Sequence, residues 1–162
     1  MEKFLETHDD LSAWALEALA EGREIVWANG CFDLFHAGHA SLLTQAKNAK
    51  PEARLLVAIN GDASVTRLKG PGRPIIPENE RILMVESHWA VDAVTVFHGD
   101  TPLPEMKIIQ PKWVVKSFEY AKRGILEEKI AIKNGGGPMY LSVLQSDYAS
   151  TTKLVNYIRA FQ

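Results

Sequence analysis

The chain has 162 residues, 46% of them hydrophobic, with 18 Lys and Arg against 20 Asp and Glu and a formal net charge of −2. That length suits one domain able to bury a core, and the near-neutral balance excludes the general basic field of a nucleic-acid binder. The single cysteine, Cys31, rules out an internal disulfide. No apolar run approaches the ~20 residues of a membrane span, and the start, "MEKFLETHDD", is acidic where a secretory leader is basic. A soluble cytoplasmic domain with no membrane and no nucleic-acid partner is the expectation.

The elements follow in a regular order. Residues 9–22, "DDLSAWALEALAEG", put Leu11, Trp14, Ala15, Ala18 and Leu19 on one helical face, with Asp or Ser as cap and Gly22 as stop. Residues 23–30, "REIVWANG", form a short apolar run closed by Gly30, which reads as a buried strand. A helix over 37–50 carries Leu42, Leu43 and Ala46, and 53–60, "ARLLVAIN", is a second strand of the continuous apolar kind that parallel sheets favour. The Gly and Pro residues of "TRLKGPGRPIIP" (66–77) predict an irregular basic loop. Beyond it come a helix over 78–89 with Ile82, Val85 and Trp89 in line, a strand over 92–97 and a short helix over 103–110. A strand over 112–117, a helix from 125 stopped by three glycines at 135–137, a fifth strand over 139–145 and a last helix over 150–161 complete the chain. Leu154, Ile158 and Phe161 share one face of that last helix.

Such alternation predicts a single α/β domain spanning 1–162, with a Rossmann-like parallel five-stranded sheet and helices on both faces. No repeat, low-complexity segment or long linker divides it. Ligands of such sheets sit beyond the carboxyl ends of the strands, where the strand order reverses. "NGCFDLFHAGH" (29–39) directly follows the first strand and therefore falls at that edge.

His36 and His39 admit three readings. A structural pair in a turn is the plainest. A zinc pair on a helix favours i, i+4 spacing with further ligands, whereas these two are three apart, Cys31 is the only thiol, and no local carboxylate completes a set. Anion chemistry is the third. Gly30 permits a tight turn that leaves the amides near Cys31 and Phe32 free for a phosphate, and Gly38 clears the start of the next helix, where amides and dipole favour negative charge. Imidazoles at that point, cationic or neutral, are donors for oxygens that gain charge in phosphoryl or nucleotidyl transfer.

"GCFDLFHAGH" resembles the HxGH signature of the nucleotidyltransferases, the superfamily of cytidylyltransferases and adenylyltransferases. "INGDASVTRLKGPGRPIIPENER" is similar to the adenylyltransferase domain of bacterial ADP-heptose synthesis enzymes, and "ASTT" (149–152) resembles the element the superfamily sets on the triphosphate. Two departures stand out. "VKSFEY" (115–120) puts Phe118 where the heptose enzymes have a glycine, and no Arg precedes the STT, unlike in the cytidylyl relatives.

The resemblance implies transfer of a nucleoside monophosphate from an NTP, ATP ahead of CTP, to a sugar phosphate such as a heptose 1-phosphate, with pyrophosphate as leaving group. His36 and His39 would be the transition-state donors. Cys31, Phe32, Lys69, Arg81, Lys116, Ser150, Thr151 and Thr152 would bind the nucleotide, while Arg67 and Arg73 are further candidates for substrate phosphate. Asp33 reads as a structural residue of the turn. Mg²⁺ would arrive with the NTP, no protein metal site is expected, and a homodimer is compatible with the pattern. The alternatives are a cytidylyltransferase acting on a polyol phosphate such as glycerol 3-phosphate, and a nucleotide-binding module without turnover. A flavin or coenzyme-A branch enzyme ranks below both, because those branches carry T/SxGH.

Overall fold

The structure is a computed structural model and describes residues 3–144 and 150–161. Its sheet is wholly parallel and has six strands in the order β1-β4-β3-β2-β5-β6. The strands are β1 (Phe4–Leu5), β2 (Ile25–Gly30), β3 (Arg54–Asn60), β4 (Ala93–Phe97), β5 (Trp113–Ser117) and β6 (Gly137–Leu141). The helices are α1 (His8–Ala20), α2 (Ala37–Ala49), α3 (Asp62–Lys69), α4 (Glu78–Glu86), α5 (Leu103–Ile109), α6 (Glu128–Lys133) and α7 (Thr151–Arg159). The expected parallel fold is present, with one correction. β1 adds a sixth strand at the edge beside β4, and at two residues it is too short to show any periodicity.

Alternation along the strands sorts two cores. Val26, Ala28, Val57 and Ile59 face α2 and α4 with Leu43, Ala46 and Val85, while Trp27, Leu56, Ala58 and Val114 face the other way with Leu11, Ala18, Met106 and Ile109. Period-two alternation within continuous apolar runs is what a sheet covered on both faces requires. From β2 the chain steps outward through β3 to β4, then returns to lay β5 on the other side of β2. The order thus reverses between β2 and β5, and the loop after β2 opens onto that crevice.

Several local expectations are corrected. The cap of α1 is Thr7, whose hydroxyl accepts from the Asp10 amide while the Asp10 carboxylate accepts from the Thr7 amide. Leu19 is exposed rather than on the buried face. Residues 62–69 are helical, so Arg67 and Lys69 lie on the last turn of α3, which Gly70 ends with φ of 92°. Helix α4 stops at Glu86 and leaves Trp89 64% exposed. Strand β6 starts at Gly137, inside the glycine triplet, and ends at Leu141. The last residue of the expected fifth strand, Gln145, and the Ala149 of "ASTT" lie outside the described residues.

Candidate active site

The turn after β2 is built around Asp33. Its neighbours Phe32 and Leu34 both adopt left-handed backbone, φ 49° and 48°, a conformation costing ~1–3 kcal/mol in a residue with a side chain. The Asp33 carboxylate, fully buried, accepts from the amides of Ile75 and Ile76 at 3.0 Å and from Arg73 Nε at 2.6 Å. Burial works to raise its pKa, but those two amides and the guanidinium outweigh it and hold the carboxyl below its ordinary range. The Asp33 carbonyl also accepts from Thr151 Oγ1 at 2.5 Å. One residue therefore joins the turn, the 73–76 segment and the start of α7, in keeping with its expected structural part.

The turn delivers His36 to the N-cap of α2 and His39 to its first turn. Their rings stack with centroids 3.8 Å apart and planes 18° apart. His36 donates its amide to His39 Nδ1 at 3.4 Å, so the His39 proton belongs on Nε2. The rings of Phe32 and Phe35 lie 4.9 and 5.6 Å from that imidazole. Burial first, then the neighbouring His36, pushes the His39 pKa down to about 3, and burial lowers His36 as well. Of the two protonation states open to the sequence reading, His39 takes the neutral one, donating through Nε2–H. His36 Nδ1 is buried with no hydrogen-bond partner among the described residues.

These histidines line a cavity of about 550 Å³ at the carboxyl ends of the strands, a size suited to a nucleotide. Cys31, Phe32, Lys69, Arg73, Lys116 and the triplet Ser150–Thr152 line it too. Burial raises the Cys31 thiol, so that side chain is a neutral wall rather than a nucleophile. Ser150 is the N-cap of α7 yet makes no side-chain capping bond, so its hydroxyl is not engaged by the helix it precedes. Thus α2 and α7 both present N-terminal turns to one space.

Two of the expected basic residues lie away from the cavity, and a third lines it in an ion pair. Arg81 is 1% exposed and sits beneath the cavity, donating to the carbonyls of Ile76, Cys31 and Asn60 and to Asp62. It braces the strand ends and does not reach the cavity. Arg67 pairs with Asp100 and the His98 carbonyl and is absent from the cavity wall. Lys116 lines the cavity but is paired with Glu127 at 3.1 Å. The basic cluster thus has acidic partners, Asp33, Asp62 and Asp100, that are remote from it in sequence or lie on the far side of a turn. Phe118, in a short turn of 3₁₀ helix (Phe118–Tyr120), is 62% exposed and does not narrow the cavity.

Sequence reading missed Asn29, Asn60 and Glu127 at this site. Glu127 stands in "ILEEKIAIK", where paired glutamates look like ordinary helix-start charges, and no local signal marks it as facing a cavity. No three His, Cys, Asp or Glu side chains converge as a metal site among the described residues, and none of the described helices is long and apolar enough to cross a membrane.

Comparison with known proteins agrees with this geometry. Residues 27–152 match the family model described as cytidylyltransferase-like. The chain is 44% identical over 146 residues to the bifunctional protein HldE of Hahella chejuensis, covering 90% of this chain and 30% of that protein. It is 40% identical over 158 residues to that of Nitrobacter hamburgensis, covering 95% and 31%. The chain thus spans about a third of the length of these curated relatives. A crystal structure described as the lipopolysaccharide core biosynthesis protein from Thermoplasma volcanium shares the fold, with TM-score 0.58 and 23% identity over 76% of this chain and 98% of that one. With the family match running from β2 through the start of α7 and enclosing both histidines, the chain belongs to the cytidylyltransferase-like family and is a nucleotidyltransferase.

Proposed function

We propose that the protein transfers a nucleoside monophosphate from an NTP, with ATP preferred, to the phosphate of a sugar phosphate such as a heptose 1-phosphate, releasing pyrophosphate. The observation that carries this reading is the pair of stacked imidazoles at the start of α2, facing a cavity that the N-terminal turn of α7 also enters. An acceptor phosphate oxygen attacks the α-phosphorus, the new P–O bond forms as the bond to the β-phosphate oxygen breaks, and pyrophosphate takes the electron pair. The acceptor phosphate is already an anion, so no strong base is needed. The protein positions two polyanions and offsets their charge.

His39 Nε2–H donates to the α-phosphate, and His36 serves the bridging oxygen as negative charge builds there. A neutral imidazole keeps its proton on a fixed nitrogen and is aimed before the reaction starts. Lys69, the hydroxyls of Ser150 and Thr152 and the amides of Ser150–Thr152 attend the β- and γ-phosphates, and Arg73 attends the acceptor phosphate. Mg²⁺ carried on the triphosphate would supply neutralisation of phosphate charge, held largely by the substrate and water with few protein ligands.

ATP is favoured over CTP by the stretch through "TRLKGPGRP" and by the absence of an Arg before the STT. The relatives named HldE support the same direction. Pyrophosphate release from ATP and from CTP, each with a heptose 1-phosphate and with glycerol 3-phosphate, tests it. At least a ~10-fold preference for ATP in kcat/KM is expected, since one unmet base-edge contact costs ~1–3 kcal/mol. A preference for CTP with glycerol 3-phosphate would overturn the substrate assignment.

A further inference from the structure

On the cavity wall, at the end of β5, lies a polar cluster that phosphate transfer leaves unused. Trp27, fully buried, donates from Nε1 to Asn29 Oδ1 at 3.3 Å, which turns Asn29 Nδ2 toward Glu127 Oε1 at 3.2 Å. The same carboxylate oxygen lies 3.1 Å from Lys116 Nζ, and the two charged side chains are only 11% and 13% exposed. Burial pushes the Glu127 carboxyl up, but the Lys116 ammonium and the Asn29 amide are among the contacts that hold it below its ordinary value. Glu127 is therefore ionised and Lys116 is charge-matched.

The pairing decides what can lie here. On the proposed reading of the cavity, Lys69 and two helix starts give the rest of it its affinity for phosphate, while Arg73 is held by Asp33. Near Glu127 the charges cancel, and a polyphosphate would meet a carboxylate head-on. A sugar hydroxyl suits the pair instead, because it donates to a carboxylate and accepts from an ammonium at once. The cluster also lies where the strand order reverses between β2 and β5, the crevice along which a nucleoside extends from phosphates held at the β2 turn. On the far wing, Asn60, Asp100 and Thr101 offer the acceptor sugar polar groups of its own.

We propose that Glu127 and Lys116 read the ribose hydroxyls of the incoming nucleotide and so make the site selective for ribonucleotides over 2′-deoxyribonucleotides. This rests on the nucleotidyltransferase reading of the cavity, and calorimetric binding of ATP and 2′-deoxy-ATP, in magnesium and without acceptor, separates the two. The wild type is expected to bind ATP at least ~10-fold more tightly, since a site built to bond a hydroxyl penalises the analogue lacking it. Glu127→Gln is expected to weaken ATP until the two nucleotides bind within ~3-fold, leaving 2′-deoxy-ATP nearly unchanged. Glu127→Gln leaves a buried ammonium unpaired, so the double variant Glu127→Gln/Lys116→Gln, which removes both charges, is measured beside it and is expected to lose the same discrimination. Equal binding of both nucleotides by the wild type overturns the proposal, as does an equal weakening of both in the folded variants. Unchanged binding of both nucleotides in the variants, with a raised acceptor KM when their pyrophosphate release is measured beside it, overturns it in favour of the acceptor's own hydroxyls. Failure of the wild type to bind either nucleotide overturns the nucleotide site itself.

Discussion

At the scale of single residues, the proposed chemistry rests on His36 and His39 and their placement rests on Asp33. Each of His36→Ala and His39→Ala is expected to lower kcat at least ~10²-fold, the size seen when one transition-state donor is removed, with a smaller effect on triphosphate binding. Near wild-type turnover in either variant would make the histidines structural. Asp33→Asn removes the charge from a buried pair with Arg73 and is expected to cost about 3–5 kcal/mol in urea unfolding; a loss under 1 kcal/mol would show that the turn holds without it. The histidines' place at the ligand edge was legible because glycines, strand and spacing converge within eleven residues. Arg81 was misread for a physical reason. An Arg that braces three carbonyls and one that meets a phosphate are the same letter, and only the tertiary positions of Cys31, Asn60 and Ile76 tell them apart.

At the scale of elements, strong periodic segments were readable and their ends were not. Helix α3 was hidden because its first turn lies before Thr66 and its last residues look like part of a Gly/Pro loop. Gly70, not the composition ahead of it, sets the stop. Trp89 matched a helical face by spacing, yet α4 ends one residue before Ser87, and the indole stays in solvent. The join of α6 to β6 has a tighter requirement. A Cβ at Gly136 would lie 1.8 Å from the Lys112 carbonyl oxygen, which itself accepts from the Gly137 amide. Gly136→Ala is therefore expected to destabilise the fold by ~1–3 kcal/mol, as overpacking does, read as a lowered urea midpoint. An unchanged midpoint would mean that the edge strand shifts freely.

At the scale of the whole molecule, alternation of strand and helix predicted a parallel sheet, and the reversal between β2 and β5 explains why the candidate site residues gather at one edge. Residues as distant in sequence as Asn29 and Glu127 meet only there, which is why the sequence left that wall unread. Burying the site has a consequence for acid stability. His39 falls from an ordinary 6.5 to about 3, and burial lowers His36 and His88 in the same direction. A folded pKa below the unfolded one contributes stability that is full above about pH 6.5 and is lost as pH falls toward 3. The urea midpoint of the wild type is expected to drop across that window, and His39→Asn to show a shallower slope. An identical slope would place the titration elsewhere. The most direct test of the cavity as a nucleotidyl-transfer site is single-turnover transfer of α-phosphate label from ATP to a sugar 1-phosphate, followed with wild type and with His36→Ala/His39→Ala. Label is expected on the sugar phosphate, in step with one pyrophosphate released, from the wild type alone. Label transferred equally by the double variant, or pyrophosphate released with no labelled sugar nucleotide, would contradict it.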